Sequence, residues 1–368
     1  MRSCMTFPSR LLNPCSLIIL AMTATLAFAA GGVGSVSGKS SASYEISFPN
    51  GGLEMPSMRN DGYDQRAVKT KDGWLVEVSV SAGPLRAREE WFLTKKMEKS
   101  LAAMDRKVGR AMAARLAGAV SRDEAVMAVL RFIGDNWSYV QKDDSGMSLE
   151  EMLASREASC LGMVRLAGRV LDILGIPSSE ITGIRFPACS RESELRGGAL
   201  HAWLEVEVER GRRVFCDPMS SFGFVPQYFI VLRRGGGLSR EELRAVSGGK
   251  VILTSNEDRI FYDPMSSVKP DFWVRPPFDS ASQGVLLGKA LERGDMPARG
   301  KARLSCGDRV LECELWDGNF YFKIASPGTY VMDVLPAAPA RPSTLRIELS
   351  DLSRRMIVVP VEGGEVSH

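Results

Sequence analysis

Apolar residues along this chain recur at two different periods, and the switches between them divide it into segments. Tyr44, Ile46 and Phe48 alternate with polar neighbours, as do Val76, Val78 and Val80, so residues 44–80 read as strands with a hairpin signal at Asp72-Gly73. Residues 88–119 are rich in Ala, Leu, Lys, Arg, Glu and Met, the composition of helix. A better-marked helix follows, with Ser121 and Glu124 at capping-box spacing and Ala125, Val129, Ile133 and Trp137 forming one apolar stripe. Residues 137–140 read as extended. Ser148 with Glu151 is a second capping box and opens a short helix toward Ala154.

The next helix begins at or just before Cys160, with Ser159 available as its cap. Its stripe runs Cys160, Val164, Ala167, Leu171 and Leu174, and it stops at Gly175 with Pro177 just beyond. Residues 181–186 read as a strand and 189–198 as a surface loop. Two strands follow, 199–208 and 212–217, joined by a turn at Arg210-Gly211. Alternation on the first puts His201, Trp203 and Glu205 on one face and Leu204, Val206 and Val208 on the other. By default Glu205 is then solvated beside a half-buried Trp203.

Beyond Gly235–Gly237 and the proline-rich stretch 270–277, which mark loops or linkers, the texture changes. Short strand-like runs at 302–305, 310–315, 320–324, 329–335, 344–349 and 356–361 are separated by Gly, Asp and Pro, as in a small β-sandwich. At the other end, residues 31–43 are Gly/Ser-rich and read as a flexible leader. The hexapeptide at 216–221 echoes at 262–267, too short for a domain duplication but enough to offer two aspartates, Asp217 and Asp263, in like settings.

Composition adds a compartment and excludes some partners. Arg2 and Arg10 form a basic start, residues 16–26 are uncharged and apolar, and Ala27-Phe28-Ala29 supplies a small-x-small cleavage pattern. This is a cleavable signal peptide in form, predicting a secreted or periplasmic protein with no membrane span after cleavage; an uncleaved anchor is the alternative. Losing the two arginines takes the formal charge from +3 to about +1 over what remains of the 368 residues. So near-neutral a balance gives no electrostatic case for nucleic acid. Of seven cysteines, Cys160, Cys189, Cys216, Cys306 and Cys313 lie beyond the signal. In an oxidising space an odd number leaves one thiol over. Cys306 with Cys313, around the turn at Gly307-Asp308, is the readiest pair, and Cys189 with Cys216 a second, leaving Cys160 unpaired.

Thiol acyl transfer needs a nucleophile, a base that activates it and a group that orients the base. Cys160 stands at a helix start, where the macrodipole favours thiolate. The chain has two histidines, one of them the terminal His368, so His201 carries any imidazole chemistry elsewhere. Asp217 ends the neighbouring strand and can orient it. Each residue alone has an ordinary reading: a buried small hydrophobe, a structural histidine, a turn former before Pro218. Their order and placement on helix, strand and strand make the catalytic reading. No paired Cys or His at ligand spacing suggests a metal, and none is expected, nor any other cofactor.

These residues resemble the transglutaminase-like superfamily. The matching stretches are Ala158-Ser159-Cys160-Leu161-Gly162-Met163, Leu174-Gly175-Ile176-Pro177, Gly183, His201-Ala202-Trp203-Leu204-Glu205-Val206 and Asp217-Pro218. Ala158 stands where the family often has Gly, and Phe215 and Cys216 stand near the family's aromatic before Asp-Pro. The resemblance implies an α+β, papain-like core and a Cys160–His201–Asp217 triad. It also implies an oxyanion site built from the Cys160 N–H with a donor from the Trp137 to Tyr139 segment, and the parity it shares with His201 adds Trp203 as a candidate cleft residue. Asp317-Gly318-Asn319-Phe320-Tyr321-Phe322 and Ser326-Pro327-Gly328-Thr329-Tyr330 resemble the hairpins of carboxypeptidase regulatory-like sandwich modules.

The organisation expected is a signal peptide at 1–29, a leader at 30–43, a strand/helix segment at 44–120, a transglutaminase-like core at 121–290 and an all-β sandwich at 298–364. The implied function is a thiol hydrolase, a protease or amidase, acting on amide bonds of proteins or peptides, with cell-envelope substrates among the options. A protein-cross-linking acyltransferase or a non-enzymatic envelope scaffold are the alternatives.

Overall fold

The computed structural model describes residues 35–361 except 50–52, 83–88, 142–146, 189, 196–198, 220–223, 264–283, 293–294, 316, 338–340 and 351–353. The expected signal peptide, Cys189 and His368 lie outside the described residues. The fold is α+β, with three hydrophobic cores.

Helices and a four-stranded antiparallel sheet build the first core. The sheet runs β10 (Arg212–Cys216), β9 (Leu200–Glu209), β7 (Ser178–Arg185), β11 (Phe229–Arg234). Against one face pack α1 (Lys95–Met104), α2 (Arg106–Leu116), α3 (Arg122–Asn136) and α5 (Cys160–Ile173). The helical composition at 88–119 is split because Asp105, in extended conformation, ends α1 and caps α2, its carboxylate accepting from the Val108 N–H at 2.6 Å. The stripe on α3 is buried as its spacing predicts. Its capping box does not close: Ser121 makes no side-chain cap bond, and Glu124 accepts from the Val120 N–H, one residue ahead of the cap. The box on α4 (Leu149–Ser155) forms completely between Ser148 and Glu151. Helix α5 ends in a Schellman arrangement: Gly175 takes a φ of 68° and the Ile176 N–H returns to the Leu171 carbonyl.

The second core lies on the other face of the same sheet. Seven strands cover it among the described residues: β2 (Met58–Asn60), β3 (Tyr63–Lys69), β4 (Trp74–Ala82), β1 (Ser35–Ser47), β12 (Lys250–Glu257) and β8 (Glu192–Glu194) in that order, with β13 (Ile260–Asp263) also paired to β1. The Asp72-Gly73 hairpin joins β3 to β4 as expected. Residues 35–43, expected as a flexible leader, are instead the first part of β1, hydrogen-bonded on both sides by β4 and by β12 and β13. Pairing overrides the weak strand propensity of Gly and Ser here. Likewise the expected loop at 189–198 contributes β8 to the sheet edge.

The third core is the expected sandwich. One sheet pairs β15 (Met296–Pro297), β14 (Gly284–Glu292), β18 (Asn319–Ile324) and β21 (Arg354–Pro360); the other pairs β17 (Arg309–Glu314), β16 (Gly300–Cys306), β19 (Gly328–Pro336) and β20 (Ser343–Leu349). Strand β14 pairs with β18 and β21, so it belongs to this sandwich and not to the end of the core expected at 121–290. Cys306 and Cys313 do not bridge. Cys306 stands opposite Arg309 and Cys313 opposite Ala302. That offset of four residues is about 13 Å, against a Cα limit of about 7 Å for a disulfide. Cys160, Cys216, Cys306 and Cys313 are all free thiols.

Candidate active site

The chain reaches the nucleophile through a short, fixed approach. Two-residue strands β5 (Ser138–Tyr139) and β6 (Glu157–Ala158) pair in parallel, so Tyr139 sits opposite Ala158, two residues before Cys160. Arg156, which precedes β6, holds a left-handed φ of 57° and stacks its guanidinium over the Trp137 ring at 4.5 Å. Ser159 then caps α5, accepting from the Gly162 N–H at 3.4 Å. Cys160 is the first helical residue, where unsatisfied N–H groups and the macrodipole favour negative charge.

The base arrives from β9. The His201 ring hydrogen-bonds the Cys160 thiol on one side, and its Nε2 lies 3.0 Å from Asp217 Oδ2 on the other. Because Nε2 faces the carboxylate, the thiol takes Nδ1. The second Asp217 oxygen accepts from the Met219 N–H at 3.0 Å, which fixes the carboxylate after β10. His201 and Asp217 are buried and Cys160 is half-buried. The sequence-derived triad is thus brought together.

Burial by itself would raise the Cys160 thiol, but the bond and charge of His201, with the Ala202 and Leu161 N–H groups, outweigh it and hold the thiol below its usual 9.0. Burial alone would lower His201; the charge and hydrogen bond of Asp217, followed by Cys160, raise it to about 9. Both shifts favour one state, thiolate beside imidazolium.

The other candidates fall differently. Trp203 does not line a cleft. It is fully buried beneath the site, roughly parallel to the His201 ring at 6.2 Å and edge-on to Phe215 and Phe229. Both faces of β9 carry a core, so the parity that suggested exposure leads into the second core instead. Gly183 on β7 makes room for it: a Cβ there would stand 2.4 Å from the Trp203 ring and 2.1 Å from the Ile230 carbonyl oxygen. Trp137 is no oxyanion donor either, since its indole N–H is committed to the Met152 carbonyl at 3.0 Å. Tyr139 is exposed at the approach to Cys160. Glu205, expected in solvent, is buried and ion-paired to Arg234 at 2.6 Å and Arg213 at 3.6 Å. Sequence reasoning missed Phe229, whose ring stands edge-on to His201 at 5.2 Å. Its position in an apolar run was visible, its partner was not.

Among the described residues no group of three or more His, Cys, Asp and Glu is placed to hold a metal. Asp263, the second copy in the repeated hexapeptide, pairs with Ser35 in the seven-stranded sheet, away from β9 and β10.

A Cys-His-Asp site at a helix start over an antiparallel sheet defines a class, and comparison with known proteins agrees. Residues 110–218 match the family model described as Transglutaminase-like superfamily, a span that holds all three triad residues. The chain therefore carries a transglutaminase-like core. Similar solved structures include a candidate cysteine protease from Cytophaga hutchinsonii, 12% identical, covering 62% of this chain and 89% of that one with a TM-score of 0.32. A TGase is 14% identical over 39% of this chain and 40% of that one, with a TM-score of 0.23. A candidate protease from Parabacteroides distasonis ATCC 8503 is 11% identical over 74% and 52%, with a TM-score of 0.22. No curated protein matches.

Proposed function

We propose that this protein is a thiol hydrolase cleaving amide bonds in proteins or peptides through Cys160, His201 and Asp217. The observation that carries the reading is the His201 ring held between the Cys160 thiol and Asp217, the latter at 3.0 Å. Cys160 thiolate attacks the substrate carbonyl carbon, and the oxyanion that forms accepts hydrogen bonds from N–H groups at the start of α5. His201 gives its proton to the departing amine as the C–N bond breaks, leaving a thioester on Cys160. Water then attacks the thioester, His201 takes its proton, and the acid leaves as Cys160 returns to thiolate. Asp217 keeps the imidazole oriented throughout and favours its protonated form before and after the two transfers. We place the activity outside the cytoplasm on the basic, apolar and Ala27-Phe28-Ala29 segments of the N-terminus.

The test uses a peptidyl electrophile and intact-mass analysis. Wild type is expected to gain one adduct, mapped to Cys160, and His201→Ala none on the same timescale. Equal labelling of both would remove the enzyme reading. Adding a primary amine to a cleaved peptide separates hydrolysis, which releases the acid, from transfer, which yields the new amide.

A further inference from the structure

The sandwich meets the rest of the chain at a buried ionic cluster that the triad does not use. Lys289 on β14 is 1% exposed, with Nζ 2.9 Å from Asp258 Oδ1 and 3.5 Å from Asp317 Oδ2. It also donates to the Ile260 carbonyl at 3.2 Å. Asp258, between β12 and β13, is equally buried. Its carboxylate accepts from Ser40 Oγ at 3.2 Å, the Ile260 N–H at 3.3 Å and the Tyr228 hydroxyl at 3.0 Å. An ion pair this deep is held only where its remaining lone pairs and protons are satisfied, and here they are.

Tyr228 is the link to the site. It stands immediately before Phe229, the first residue of β11: the Tyr228 hydroxyl donates to Asp258, and the Phe229 ring stands edge-on to His201. The segment is pinned along its length. Tyr44 donates to the Gln227 carbonyl at 3.0 Å, the Phe186 N–H to the Tyr228 carbonyl at 2.8 Å and Tyr63 to the Phe229 carbonyl at 2.7 Å. Phe229 then closes the wall behind the imidazole together with Trp203.

We propose that the C-terminal sandwich is a positioning part of the active site: through Lys289, Asp258 and Tyr228 it fixes Phe229 against His201 and so sets the imidazole between Cys160 and Asp217. The proposal rests on Cys160 and His201 being the reacting pair. Tyr228, Phe229, Asp258 and Lys289 are positioning residues, since none touches the reacting atoms.

The test uses the full chain after signal removal. Removing Lys289 would strand the buried Asp258 carboxylate beside half-buried Asp317 and risk unfolding, so the variants are Tyr228→Phe, which keeps the ring, and Phe229→Leu, which keeps the apolar bulk. Two quantities are read on variants whose circular dichroism matches wild type: the iodoacetamide rate at the Cys160 peptide against pH, and the His201 imidazole titration by NMR. Both variants are expected to slow Cys160 labelling at neutral pH by about tenfold, the scale of a slight misplacement. They should also move the thiol's rising limb up and the His201 value down from about 9. Folded variants with unchanged rate and unchanged titrations would overturn the proposal and leave the cluster as a domain clasp only. His201→Ala runs alongside: if it labels like wild type, the catalytic reading itself has failed, and the proposal falls with it.

Discussion

Cys160 begins α5 and Cys216 ends β10, and both lie against the helix-side core beside the His201–Asp217 pair. Burial pushes both thiols up. For Cys216 nothing opposes it, and the neighbouring charge of Asp217 pushes the same way, so that thiol is held far above its usual value. For Cys160 the imidazole and two backbone N–H groups reverse the sign. Proximity to the triad is therefore not what activates a cysteine here. The His201 imidazole and the Ala202 and Leu161 N–H groups that reach Cys160 do, and a carboxylate seen without its imidazole does the opposite.

The largest expected effect comes from removing the donor that distinguishes the two. His201→Ala should lower the Cys160 labelling rate at neutral pH by about 100-fold or more, the range of a lost general base, bringing Cys160 toward the inertness of Cys216. Peptide mass mapping of labelled protein checks this. Next is the orienter. Asp217→Ala should cost about tenfold or more in the same assay and lower the His201 titration from about 9. Asp263→Ala should change neither, because that residue lies on the other sheet. A loss with Asp263→Ala would show that the wrong copy of the hexapeptide has been chosen.

That choice was legible in the sequence, and so was much of the rest. A chain with one non-terminal histidine restricts the base to His201, and strand order places Asp217 beside it. All six strand-like runs after residue 298 became sandwich strands, because Gly, Asp and Pro punctuate them. What escaped depends on pairing between distant segments. Residues 35–43 become a strand because β4, β12 and β13 flank them. Trp203 and Glu205 are buried because a second sheet covers the face that alternation would leave half-wet. The Cys306–Cys313 expectation failed on register, which spacing along the chain does not set.

A smaller effect sharpens the comparison through stability. His201 has a folded value of about 9, above the unfolded 6.5. Its contribution is thus fully present below pH 6.5 and lost as pH rises through about 9. Cys160, with its folded value lowered, works the other way: its contribution is present above the unfolded value and lost as pH falls through the folded one. Replacing the thiol by Cys160→Ser removes that opposing term. Chemical denaturation of this variant should then show stability falling by about 2 kcal/mol between neutral and alkaline pH, more steeply than in wild type. A flat profile would mean that Asp217 does not hold the imidazolium. The smallest effect belongs to the cap. Ser159→Ala should cost about 1 kcal/mol in denaturant stability and slow Cys160 labelling by a few-fold at most, since His201 and the N–H donors remain.

The most direct measurement follows Cys160 and Cys216 together: iodoacetamide rates at each peptide, in one folded sample, across the pH range. The account requires Cys160 to react with a midpoint clearly below 9.0, with a second inflection near the His201 value of about 9, while Cys216 stays unlabelled until the protein unfolds. A Cys160 that titrates as an ordinary thiol, or that is as protected as Cys216, would contradict it.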